Sequence, residues 1–189
     1  SHFAYQAVTG DGAIMAKVES VQNTSVSARA GVMMRASLNP GAPRAWMALT
    51  NGGNLEQNMP NLTVYGGTNY GNKVLARSLS AYWLKLERIG NIITGYVSPD
   101  GTNWAATDVG RIDAPVPDTL YVGLAVCSVA NGTLNTSTFN NVQITGGDGG
   151  APSSRPLRPP PSWLRRATAP SRCAGSLPSE RPATRSNEL

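Results

Sequence analysis

Apolar positions alternate with polar or small ones along residues 1–147, and clusters of glycine, asparagine, proline and aspartate separate the alternating runs. Such alternation is typical of half-buried β-strands, because successive side chains of a strand point to opposite faces. The pattern predicts strands at 3–8, 12–19, 27–36, 44–50, 62–66, 74–79, 81–88, 92–98, 103–108, 119–128 and 136–145. Short strands at this spacing, with no helical period between them, indicate an all-β fold in which two antiparallel sheets form a β-sandwich.

The segment ARAGVMMRASLNPGAPRAWMALT, which begins at Ala28, indicates a hairpin with one oily face and one charged face. Alternate positions place aliphatic residues on the face that is expected to enter the core. The opposite face, expected in solvent, carries two more apolar side chains among its arginines. That outer set is Arg29, Met33, Arg35, Arg44 and Trp46.

Residues 81–98 repeat the pattern, with Leu84 and Leu86 at core positions and aromatic and charged residues at outer ones. We therefore predict that the outer face of one sheet is a platform for a sugar, since a flat ring packs on a pyranose while cationic side chains address its hydroxyls. The predicted ligand-binding residues are Arg29, Arg35, Arg44, Trp46, Trp83, Lys85 and Tyr96. The alternative is a solvated outer face on which arginine stems cover apolar surface.

The net charge of +5 is unevenly spread along the chain. Residues 1–147 hold nine lysines and arginines against eight acidic residues, whereas residues 148–189 hold seven arginines against three. A nearly neutral body has no basic patch, so a nucleic-acid partner is not expected. Residues 148–189 also contain eight of the fourteen prolines. The sequence thus predicts a sandwich domain over 1–147, a disordered tail over 148–189, and no membrane span.

The acidic residues, the histidine and the cysteines of the sequence give little support for catalysis or metal binding. The acidic residues of the body form no pair spaced for glycoside hydrolysis, and the single histidine, His2, cannot serve a catalytic triad from the start of the chain. Calcium ligation by Asp11 or Asp100 would need a dense acidic loop, which the sequence lacks. Cys127 and Cys173 lie far apart, which makes a disulfide unexpected. We predict no enzyme, no metal and no cofactor.

Three stretches carry a resemblance to a known family: YQAVTGDGAIMAKVESVQNT with ARAGVMMRASLNPG, then AYWLKLERIGNIITGYVSPDGTNW, then LYVGLAVCSVANGTLNTSTFNNVQIT. Over residues 3–145 the chain resembles bacterial concanavalin A-like, laminin G-like jelly-roll domains of the regulation-of-enolase and β-xylosidase C-terminal-like family. The resemblance implies a two-sheet jelly roll that is N-terminally truncated here. It differs from the family at Val129 and Asn140, where the family tends to have histidine and aspartate.

The resemblance also implies an extracellular or cell-surface location, in a secreted multidomain protein that acts on polysaccharides. With the outer-face pattern, it predicts a non-catalytic accessory module that binds a polysaccharide or glycan. A structural or protein-interaction spacer without a glycan site is the first alternative, and a divergent glycosidase is the second.

Overall fold

A computed structural model describes residues 1–58, 72–76, 81–107, 112–113 and 117–146, all of it strand, turn or loop. The strands are β1 (His2–Thr9), β2 (Gly12–Val21), β3 (Arg29–Arg35), β4 (Arg44–Thr50), β5 (Leu55–Asn58), β6 (Asn72–Ala76), β7 (Tyr82–Ile89), β8 (Ile92–Ser98), β9 (Ala105–Ala106), β10 (Ile112–Asp113), β11 (Thr119–Cys127) and β12 (Ser137–Gly146). The prediction of an all-β protein is confirmed.

The strands form two antiparallel sheets. Sheet A has the order β1-β11-β3-β4-β5-β6, and sheet B has the order β10-β8-β7-β2-β12, with β9 added beside β8. β3 and β4 pair as the predicted hairpin, in which Arg35 lies opposite Arg44 and Met33 lies opposite Trp46. Strands β2 and β7 of sheet B pack over β3 and β4 of sheet A, so the two layers make a sandwich.

The core lies between the sheets, and the alternation of side chains places the predicted residues in it. Alternate residues of both sheets meet there in one apolar cluster. Its most deeply buried members include Ile14, Val32, Met34, Met47, Leu49, Leu84, Leu86 and Ile93. Each fully buried side chain of this size contributes about 1.5–3 kcal/mol to the free energy of folding, so this layer is the main source of stability.

The outer face of sheet A, the side turned away from this core, differs from the prediction. Met33, Trp46, Ala48 and their neighbours form a second apolar cluster there. Arg29 is 4% exposed, Arg35 8% and Trp46 4%, so the expectation that this face stays in solvent is wrong. The arginines lie across aromatic neighbours instead of extending into water, because their stems are as apolar as those neighbours.

Some strand predictions also need correction. The short strands β5 and β10 are absent from the predicted set. β5 is polar in sequence, LEQN, and its charged residue Glu56 is nevertheless buried. The predicted strand at 62–66 and the predicted tail at 148–189 lie outside the described residues.

Cys127 is disulfide-bonded, contrary to expectation. Its side chain belongs to the outer cluster of sheet A rather than to the core between the sheets. The described residues include no helix that is long and apolar enough to cross a membrane.

Two glycines allow the strands of sheet A to approach closely. A Cβ atom at Gly31 would overlap the carbonyl oxygen of Met47 on β4, and one at Gly123 would overlap the carbonyl oxygen of Ala4 on β1. In both cases the obstacle is backbone, which cannot move without breaking the pairing of the strands. These two positions therefore help to fix the shape of the sheet.

Candidate functional site

The seven residues predicted to bind a ligand do not share one face. Arg29, Arg35, Arg44 and Trp46 lie on β3 and β4 of sheet A, whereas Trp83, Lys85 and Tyr96 lie on β7 and β8 of sheet B. Both groups point away from the core, so they occupy opposite sides of the sandwich. The prediction of a single platform is wrong, because alternation assigns a residue to a face but does not assign its strand to a sheet.

On sheet A, Arg29 and Glu56 form a buried ion pair. Arg29 Nη1 lies 2.9 Å from Glu56 Oε2, and the two side chains are only 5% and 9% exposed. The Arg29 guanidinium also lies 6.0 Å from the ring centroid of Trp46. Trp46 Nε1 is buried and has no hydrogen-bond partner within the described part of the chain. Arg29 and Trp46 are thus held in the packed layer and are poorly placed to reach a ligand.

Arg35 and Arg44 are held differently, at the end of sheet A where the β3–β4 hairpin turns. Arg35 Nη2 donates a hydrogen bond of 2.7 Å to the carbonyl oxygen of Asn39 in the hairpin loop. Its guanidinium lies 6.0 Å from the ring centroid of Phe3. Burial lowers the pKa of Arg35, and burial and then the charge of Arg35 lower the pKa of the half-buried Arg44.

The outer face of sheet B carries a group of partly exposed aromatic side chains around one lysine. The ammonium of Lys85 lies 4.1 Å from the ring centroid of Tyr96 and 5.4 Å from that of Trp104. Trp83 and Trp104 meet edge to face, with 6.5 Å between their ring centroids. We call Trp83, Lys85, Tyr96 and Trp104 the aromatic surface.

The turn between β8 and β9, SPDGTNW, delivers Trp104 to this surface. Asp100 Oδ1 accepts hydrogen bonds from the backbone N–H groups of Thr102 and Asn103, each 2.8 Å long. These bonds, with the side chain of Asn103 and Ser98, hold the pKa of Asp100 far below its usual range. Gly101 has a φ of +80°, and the indole of Trp83 lies so close that a Cβ atom would come within 2.7 Å of it.

The predicted strands at 92–98 and 103–108 require a turn between them, which the hydrogen bonds confirm, but Trp104 is not among the residues predicted to bind a ligand. The register of the β8–β9 hairpin indicates the face on which Trp104 lies. Tyr96 pairs with Ala106 across β8 and β9, and Trp104 lies two residues before Ala106. Once the turn is centred on Asp100 and Gly101, Trp104 therefore falls on the same face as Tyr96.

Polar side chains border the aromatic surface. Tyr96 donates a hydrogen bond of 3.1 Å to Glu87 Oε2, and Lys85 lies 3.6 Å from Glu87 Oε1. Burial, followed by the hydrogen bond and charge of Glu87, raises the pKa of Tyr96. Next to Trp83, Lys17 pairs with Glu19 at 2.8 Å. This arrangement offers hydroxyl, ammonium and carboxylate groups within reach of exposed rings.

A third polar group reaches this border from β12. Asn140 Nδ2 donates a hydrogen bond of 3.0 Å to Glu19 Oε1. The hydrogen bonds from Lys17 and Asn140 lower the pKa of Glu19. No cluster of three or more His, Cys, Asp or Glu side chains that could hold a metal occurs among the described residues.

Comparison with family models and with curated protein sequences finds no match. Among solved structures, the chain is similar to a protein of unknown function from Saccharomyces cerevisiae, with a TM-score of 0.57, 20% identity, and coverage of 77% of this chain and 74% of that one. It is also similar to a variant of the GH43 protein BlXynB from Bacillus licheniformis, with a TM-score of 0.52 and 15% identity over 72% of this chain.

The chain spans 27% of the length of the GH43 protein, so it matches one part of that protein. Xylan β-1,4-xylosidase from Bacillus halodurans gives a TM-score of 0.48 at 15% identity. At these identities, the two structures with the higher scores show a shared β-sandwich fold and leave activity open.

Proposed function

We propose that this domain is a non-catalytic accessory module that binds carbohydrate through the aromatic surface of sheet B. The observation that carries the proposal is the convergence of Trp83, Trp104 and Tyr96 around Lys85 on one partly exposed face. Exposed rings stack on the apolar faces of sugars, and the polar border supplies donors and acceptors for their hydroxyls. The shared fold with part of a GH43 protein agrees with a module of a polysaccharide-acting protein.

The roles within the site follow from the geometry. Trp83 and Trp104 provide ring surface, while Lys85, Glu87 and Asn140 hydrogen-bond to hydroxyl groups. Of the residues predicted from the sequence, Trp83, Lys85 and Tyr96 stay in this proposal, and Trp104 joins them. The rings are partly exposed on the outer face of a sheet, and such a face favours weak binding to a repeated polymer over tight binding to a small molecule.

We test the proposal by calorimetry and affinity electrophoresis against a panel of neutral polysaccharides. Trp83→Ala and Trp104→Ala should each weaken binding about tenfold, since each removes a stacking ring. Trp46→Phe is the matched control, because it changes a tryptophan on the opposite side of the sandwich, and it should bind like the parent.

If no glycan binds, or if the Trp83 and Trp104 variants behave like the parent, the domain is a structural or protein-interaction spacer instead. Hydrolysis of any polysaccharide in the panel would point to the divergent glycosidase and contradict a non-catalytic role.

Membership of the regulation-of-enolase and β-xylosidase C-terminal-like family is likewise our proposal, supported by the three motifs in the sequence and by the sandwich fold. With it we propose an extracellular or cell-surface location in a multidomain protein. Fractionation of source cells, with detection of the protein by mass spectrometry, tests the location. Recovery from the cytoplasm alone would contradict it.

A further inference from the structure

Arg35 and Arg44 form a pair of like charges on sheet A. They occupy directly paired positions on β3 and β4, and both side chains point to the outer face. The ion pairs found in the described part of the chain involve neither of them. Adjacent guanidiniums repel each other, and burial strengthens that repulsion because less water screens it.

The hydrogen-bonding groups of this pair are also incompletely used. Arg35 is 8% exposed, and its buried Nε has no hydrogen-bond partner among the described residues. Within the same part of the chain, its guanidinium donates one hydrogen bond, from Nη2 to the Asn39 carbonyl in the hairpin loop. Buried donors are nearly always paired, and an unpaired one beside a second cation is a site where an anion would be stabilised.

Aromatic side chains next to Arg35 indicate which kind of molecule would supply the anionic group. Tyr121 is the cross-strand neighbour of Arg35 on β11. Its ring meets that of Tyr5 edge to face, with centroids 5.3 Å apart, and both rings are partly exposed. Tyr5 in turn stacks on Phe3, over which Arg35 lies. A guanidinium pair of which one member, Arg35, lies next to a partly exposed tyrosine suits a ring-shaped ligand that carries a carboxylate.

We propose that Arg35 and Arg44 bind the carboxylate of an acidic sugar, a uronic acid, at the hairpin end of sheet A. Arg44, which is half-buried, donates hydrogen bonds to the carboxylate oxygens, the paired Arg35 adds a second positive charge beneath it, and Tyr121 borders the sugar ring. This site is separate from the aromatic surface, since it belongs to the other sheet. It does not depend on the proposed function.

The test compares an oligogalacturonate with its methyl ester, in which each carboxylate is replaced by an uncharged ester that is one methyl group larger. Calorimetry is done on the Trp83→Ala variant, so that the aromatic surface contributes little. The acid should bind at least about tenfold more tightly than the ester. Arg44→Gln and Arg35→Gln should each lower that affinity by a similar factor. Ser20→Ala, which changes an exposed polar residue of β2 on sheet B, should leave it unchanged.

Thermal unfolding without ligand separates binding from folding. Arg44→Gln should melt at or above the temperature of its parent, because it removes a repelling charge that has no partner. Equal binding of acid and ester, parent-like binding by Arg44→Gln, or preference for poly-L-glutamate over the oligogalacturonate would each overturn the proposal. Loss of neutral-glycan binding in Trp83→Ala concerns the other site and leaves this one intact.

Discussion

At the scale of the residue, the arginines of one β-hairpin show how neighbours decide the state of a charge. Arg29 and Arg35 are both buried on the same face of β3. Arg29 has a carboxylate at 2.9 Å, whereas Arg35 faces Arg44. The first arrangement stabilises the fold only while both partners remain, and the second leaves two like charges without a carboxylate partner among the described residues.

The ion pair gives a prediction for stability. Glu56→Gln leaves the Arg29 guanidinium buried without a counter-charge, and should lower the free energy of unfolding by about 3–5 kcal/mol. The double variant Arg29→Met with Glu56→Leu should recover most of that loss, because it removes both desolvated charges. Urea denaturation of the three proteins measures the difference. A loss below about 1 kcal/mol in the single variant would show that the pair behaves as an exposed one.

Asp100 gives a prediction for pH dependence. The folded state lowers the pKa of Asp100, so its contribution to stability is present above the unfolded pKa of about 3.9 and is lost as pH falls towards the folded pKa. Asp100→Asn should therefore reduce the acid-induced fall in melting temperature below about pH 4. Thermal unfolding between pH 2 and 6 checks this. If the melting temperatures of Asp100→Asn and of the parent differed by the same amount at every pH, the prediction would be wrong.

At the scale of the element, each strand is a two-sided unit, and its pairing fixes how close its neighbours come. The alternation read from the sequence divides β3, β4, β7 and β11 between core and outer faces as the structure has them. The close approach of β3 to β4 depends in addition on Gly31, whose missing side chain leaves room for the backbone of β4.

Gly31→Ala should consequently lower the free energy of unfolding by about 3 kcal/mol, the upper end of typical overpacking costs. Its Cβ would meet the backbone of Met47 and Ala48. Gly52→Ala is the control, because its nearest neighbours, Val26 Cγ2 and the Val26 carbonyl oxygen, are both 3.1 Å away and so leave more space than the backbone at Gly31; it should cost less than about 1 kcal/mol. Denaturant unfolding compares them, and equal effects would argue against close packing at Gly31.

At the scale of the whole molecule, the sandwich separates two outer faces of different character. Sheet A presents a packed layer with two arginines at its hairpin end, and sheet B presents partly exposed rings with a polar border. The packed core layer lies between them, so we expect the two faces to act independently.

Independence can be measured with the variants Trp83→Ala, Arg44→Gln and their combination. The change in free energy of unfolding of the double variant should equal the sum of the single changes within about 0.5 kcal/mol. The same should hold for the free energies of binding to an oligogalacturonate. A larger coupling would mean that the two faces communicate through the core.

The sequence by itself determined the class of fold and the two-sided character of most strands, because alternation follows directly from strand geometry. It also determined the turn at Asp100 and Gly101, whose residue types form turns locally. It missed β5, since a polar strand with a buried Glu56 depends on a distant partner, Arg29. It assigned the outer residues of sheets A and B to one face, since the sheet that a strand joins depends on residues far away in the sequence.

The tertiary structure decided what lies beside each outer residue. It placed Trp104 beside Trp83 and Lys85 between two rings, and it buried Arg29 and Trp46 that alternation assigns to solvent. Exposure depends on what packs over a face, and that is set by side chains from strands far apart in sequence. Local pattern carries no information about those neighbours, which is why the grouping of the outer residues into two separate surfaces could be read only from the folded chain.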